Sequence, residues 1–187
     1  MVAAVPRPLT LAFVCLCSIG CARKGPEANQ TYFWQVTSSN LEWGACGDSA
    51  TLRGGVMPIA IAANSFLIYK VDSTGKKGVS QSCPRLDVGT CTDSATNIVF
   101  DIVGTELTYT SERKDPVQGS ACKVQQNETW TLADKITTIT LEIDTVLSLV
   151  GSDTDCPKLE ANVKADSPNG LGVGGCVLTR KLEGTLK

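Results

Sequence analysis

The chain has 187 residues with nearly balanced charge, 17 Lys and Arg against 19 Asp and Glu, and it contains no histidine. The basic residues are dispersed, so the sequence offers no positive stripe of the kind nucleic acid requires. Without histidine it builds no Ser-His-Asp triad, no Cys-His pair and no histidine zinc site.

Read from the start, Arg7 precedes an apolar run at 9–19. The run is shorter than the roughly 20 residues that span a bilayer, so residues 1–20 read as a cleaved export signal. Ser18-Ile19-Gly20-Cys21 resembles the lipobox of bacterial lipoproteins. The resemblance implies acylation, with palmitate-type chains, at Cys21 as the first mature residue. Ala22 is similar to the residue found at that position in lipoproteins sorted to the outer membrane, which implies a lipid-anchored protein that is periplasmic or surface-exposed. Residues 21–30 are polar, with Gly25 and Pro26, and read as a short tether. Arg23 and Lys24 add attraction to anionic headgroups.

Residues 31–187 read as a single domain. Its apolar residues recur with a period of two, most clearly at 136–150. There Ile139, Leu141, Ile143, Leu147 and Leu149 oppose Thr138, Thr140, Glu142, Asp144 and Ser148. That alternation predicts strands with one buried and one wet face. Further strands are expected at 32–37, 65–72, 76–82, 97–103, 106–112, 123–132, 158–166 and 177–186. Turn residues at 72–76, 103–106, 133–135 and 167–175 join several of them as hairpins. Residues 40–61, broken by Gly44, Gly47, Gly54, Gly55 and Pro58, carry no readable pattern.

About eight hairpin-linked strands predict an all-β, antiparallel up-and-down meander, closed as a barrel or, alternatively, folded into a sandwich so as to hide its edges. This meander resembles the lipocalin and wider calycin barrels. Trp34 lies near the start of the first strand, and Arg180 interrupts the apolar row Leu178, Leu182, Leu186 of the last. In lipocalins an arginine near the last strand packs across a tryptophan of the first, so the resemblance implies that Trp34 and Arg180 close one end of the barrel.

Six of the nine cysteines, Cys46, Cys83, Cys91, Cys122, Cys156 and Cys176, fall in the domain. In an exported chain this even number predicts three disulfides, with Cys83–Cys91 as the one local pair. Pro84 and Gly89 turn the chain between them. The other four cysteines stay unassigned.

Short matches to catalytic motifs dissolve on inspection. Gly47-Asp48-Ser49 lacks the later histidine that an esterase of this pattern needs, and Ser73-Thr74-Gly75-Lys76 lacks its partner motifs and reads as a hairpin turn. Asp153 and Asp155 lack the spacing of a calcium loop. No catalytic residue, metal or cofactor is expected, and the protein is not read as an enzyme.

Two functions fit what remains. One is an envelope lipoprotein whose barrel binds a small apolar or amphipathic ligand. The alternative is a structural or interaction lipoprotein of the outer membrane that contacts an envelope protein. Ala161, Ala165 and Gly184 on inward rows lead to the expectation of some room inside the barrel.

Overall fold

A computed structural model of the chain describes residues 25–46, 61–116, 119–151, 156–158 and 176–187. The strands are β1 (Thr31–Glu42), β2 (Phe66–Val71), β3 (Lys77–Ser82), β4 (Thr92–Asp93), β5 (Val99–Val103), β6 (Glu106–Pro116), β7 (Lys123–Asp134), β8 (Thr138–Val150) and β9 (Cys176–Leu186). Every pairing is antiparallel, in the order β2-β1-β9-β8-β7-β6-β5-β3-β4, and β2 also pairs with β3. The sheet therefore closes on itself as an eight-stranded up-and-down barrel of lipocalin-like topology, with the two-residue β4 outside it on β3. Closure leaves no seam between two sheets, which removes the sandwich.

The dismissed matches at 47–49 and 153–155 and the turn expected at 167–175 lie outside the described residues, as do Cys21 and alanines 161 and 165, expected to face inward. So does nearly all of the strand expected at 158–166, of which Lys158 belongs to a helical turn at 156–158.

The hairpins form for the local reasons their residues give. At 72–76 the Asp72 carboxylate accepts from the Thr74 hydroxyl and from the backbone N–H groups of Thr74, Lys76 and Lys77. Gly75 supplies a positive φ of 72°. These donors, the Thr74 hydroxyl foremost, hold the Asp72 carboxyl below its ordinary range. Ser73–Lys76 is thus a hairpin turn, as the sequence predicts. The β7–β8 turn is less conventional. Ile136, a β-branched residue, has φ 79°, and its N–H is held by Asp134 Oδ1 at 2.8 Å.

β1 is longer than the pattern at 32–37 predicts, because a bulge hides its second half. Val36 faces Gly184 while Ser38 faces Glu183, so one residue of β1 is extra. Tyr32, Trp34 and Val36 point inward before the bulge, and Ser39 and Leu41 are the less exposed residues after it.

The lower half of the barrel is solid. Trp34, Tyr69, Phe100, Leu107, Leu132 and Leu141 are fully buried in one cluster, and Tyr32 stacks on Trp34 with centroids 6.4 Å apart. Gly184 contributes no room here. A Cβ at that position would lie 3.0 Å from Ile139 Cγ1 and from the Gln35 carbonyl oxygen, so the space a side chain would take is filled by Ile139. The expectation that this glycine opens the interior is corrected accordingly. Residues 25–30 lie across the same end. Asn29 N–H reaches the carbonyls of Val71 and Asp72, Glu27 N–H donates to Tyr32 Oη at 2.8 Å, and Gly25 packs on the Gly104 carbonyl.

Three disulfides fasten the other end and its loops: Cys46–Cys176, Cys83–Cys91 and Cys122–Cys156. The local pair is the one the sequence predicts. Cys46 follows a turn in which Gly44, with φ 52°, comes so near Val177 that a Cβ would sit 2.4 Å from its carbonyl oxygen. Only glycine lets the backbone approach this closely and bring Cys46 to Cys176. Trp43, Leu41, Val124, Leu147 and Leu178 pack around that bridge as a second apolar cluster.

Candidate functional site

Between the two apolar clusters the inward rows turn polar. On β7 the buried row runs Val124, Gln126, Glu128, Trp130, Leu132, Asp134. Ser111 and Thr145 flank Glu128 directly, on β6 and β8. Arg113 faces Gln126 one step higher on β6.

The barrel wall is parted beside this polar layer. β5 pairs with β6 only through Glu106–Thr108, whereas β6 continues to Pro116 with β7 alone as its partner. In the gap lies a pocket of about 280 Å³, lined by Thr96, Ile98, Tyr109, Ser111, Arg113, Gln126 and Glu128. Its floor is aromatic. Tyr109 meets Trp130 edge-on at 6.0 Å and Phe100 at 6.2 Å. On the β3 side the Ser80 hydroxyl accepts the Ile98 N–H at 3.1 Å, which fixes the start of the Ile98 wall.

Glu128 is 5% exposed. One carboxylate oxygen accepts from Gln126 Nε2 and the other from Trp130 Nε1 at 3.1 Å. At the rim, Arg113 is spent on Asp115, whose oxygens lie 2.8 and 2.9 Å from its Nε. Gln126 Oε1 and Thr145 Oγ1 are buried without a hydrogen-bond partner among the described residues. Polar atoms buried in that state are uncommon, and each costs about 1–3 kcal/mol unless something pairs with it.

Trp34 and Arg180, which the lipocalin resemblance brings together, are kept apart by the register. Trp34 stands opposite Leu186 and Arg180 opposite Leu41, six positions apart on β9 or about 20 Å along the strand. Trp34 belongs to the solid lower half. Arg180 occupies the buried parity of β9, as its row predicts, but its Nη1 donates to Ser39 Oγ at 3.2 Å rather than resting on an indole. Its Nε is buried without a partner, and desolvation lowers its pKa. The closed end is instead sealed by the aromatic cluster and by residues 25–30.

The pocket residues were missed by sequence reasoning because β7 is polar on both faces there. Gln125, Asn127 and Thr129 alternate with Gln126 and Glu128, so period two carries no contrast. The available signal was register: Glu128 shares the parity of Trp130 and Leu132, the strand's most apolar residues.

Among the described residues no three His, Cys, Asp or Glu side chains are grouped to hold a metal ion, and no helix is long and apolar enough to cross a membrane. No protein-family model matches the chain, and no curated protein or solved structure matches it either.

Proposed function

We propose that the protein is a lipid-anchored lipoprotein of the bacterial outer membrane whose barrel holds a small amphipathic ligand. The observation that carries the binding half is the 280 Å³ pocket at the parted wall, where an aromatic and aliphatic lining meets a buried polar row. Pockets of this make-up, mostly apolar with a few fixed polar groups, suit ligands with one polar end. The solid lower half restricts the ligand to the upper half, so it is a compact molecule rather than a long acyl chain.

The anchoring half rests on Gly20-Cys21 behind the apolar run, and the fold gives it a geometric consequence. Gly25 is packed at the closed end, against Gly104. Four residues span at most about 14 Å, so an acylated Cys21 holds the closed end near the bilayer and directs the pocket away from it. The interaction reading draws its support from the loop closed by Cys83–Cys91, where Leu86 and Val88 are 53% and 57% exposed.

The test has two arms on protein expressed in bacteria. A fatty-acid analogue should label the wild type and spare Cys21→Ser. Native mass spectrometry of the purified protein should show a small molecule bound one to one, lost in Ser111→Phe, which fills the pocket. Absence of label defeats the anchor, and a bare polypeptide mass defeats the ligand and favours the interaction reading.

A further inference from the structure

Among the described residues no cation bonds the buried carboxylate of this pocket. Among them Glu128 is partnered by the neutral N–H groups of Gln126 and Trp130. Arg113, which lines the pocket at its rim, bonds Asp115 through Nε, and Arg180 bonds Ser39 on the far wall, outside the pocket lining. Each carboxylate oxygen keeps acceptor capacity beyond its single hydrogen bond. Gln126, also 5% exposed, adds a buried carbonyl oxygen with no donor. Glu128 and Gln126 thus bring buried acceptors with unused capacity to the pocket, and the charged donor of the lining, Arg113, is paired with Asp115 at the rim.

Above this acceptor floor the lining is Ile98 and the Tyr109 ring, itself packed on Phe100 and Trp130. Aromatic groups attract organic cations through their ring quadrupole, most strongly when the cation is desolvated. A primary ammonium brings three donors and one positive charge, while an alcohol brings one donor and no charge. An anion seated on Glu128 would meet like-charge repulsion.

Resting on the reading of the barrel as a binding protein, we infer that its ligand is a small organic ammonium, its head group at Glu128 and Gln126 and its apolar body against Ile98 and Tyr109. The volume admits on the order of ten non-hydrogen atoms.

Three probes of one shape test the assignment: 2-phenylethylammonium, 2-phenylethanol and phenylacetate, titrated calorimetrically into the full protein in a non-ionic maltoside. The ammonium should bind at least tenfold tighter than the alcohol, with phenylacetate weakest. Glu128→Gln should bring ammonium and alcohol within about threefold of each other, with circular dichroism reporting an intact sheet. Ser111→Phe, which fills the pocket while keeping Glu128 in the sequence, should block all binding and locates the site should Glu128→Gln fail to fold. Equal affinity of ammonium and alcohol in the wild type, both lost in Ser111→Phe, overturns the ammonium assignment and leaves the barrel as a binding protein. An ammonium preference that survives Glu128→Gln also overturns it. Failure of all three probes, with no small molecule co-purifying, overturns both.

Discussion

Glu128 accepts a hydrogen bond from the indole N–H of Trp130, two residues further along the same inward row of β7, at 3.1 Å. The carboxylate thus orients the ring on which Tyr109, the aromatic residue of the pocket lining, is packed. Removing it leaves two buried donors, Trp130 Nε1 and Gln126 Nε2, without an acceptor. Glu128→Ala is expected to lower stability by about 2–4 kcal/mol. Glu128→Gln keeps one oxygen for Trp130 Nε1 and turns an N–H toward Gln126, whose amide can rotate so that its oxygen accepts it, so the cost should be about 1 kcal/mol or less. Urea unfolding followed by tryptophan fluorescence separates the two.

The disulfides should rank by the loops they close. Sequence separations are 130 for Cys46–Cys176, 34 for Cys122–Cys156 and 8 for Cys83–Cys91. Loop-closure entropy gives about 5, 4 and 2.5 kcal/mol respectively as upper values. Paired Cys→Ser variants compared by thermal unfolding should follow that order, and an equal or inverted ranking contradicts it.

How far the sequence was legible depended on contrast between the two faces of a strand. β8 alternates Ile and Leu with Thr, Glu and Asp, so its inward row is plain. β1 lost its second half because the bulge after Val36 inverts the parity within a polar stretch, Thr37–Asn40. The local bridge Cys83–Cys91 followed from proximity, whereas Cys46 and Cys176 meet only because β1 and β9 are neighbours in the closed barrel. Arg180 was recognised as inward, yet its partner was not, since register between first and last strands is set by the whole barrel.

The bonding of Arg180 leads to a test with an unusual sign. Its charge is partly desolvated, only one hydrogen bond to Ser39 compensates, and its Nε is orphaned. Arg180→Met keeps the volume and removes the desolvation cost, so stability should stay within about 1 kcal/mol of wild type or rise. A loss above about 2 kcal/mol in chemical denaturation would show a stronger partner than Ser39.

Ile136 occupies a backbone region that costs a β-branched residue about 1–3 kcal/mol. Its side chain is 41% exposed, so little packing is lost by its removal. Ile136→Gly should raise stability by about 0.5–1 kcal/mol, read as a higher midpoint in urea. A lower midpoint means the side chain contributes more than its exposure indicates.

The binding reading stands or falls on a high-resolution map of the protein purified from expressing cells with no ligand added. Non-protein density of about ten non-hydrogen atoms is expected within hydrogen-bond distance of Glu128 and Gln126, extending along Tyr109 toward Ile98. A pocket holding only water, or one collapsed around Tyr109 and Arg113, would contradict it.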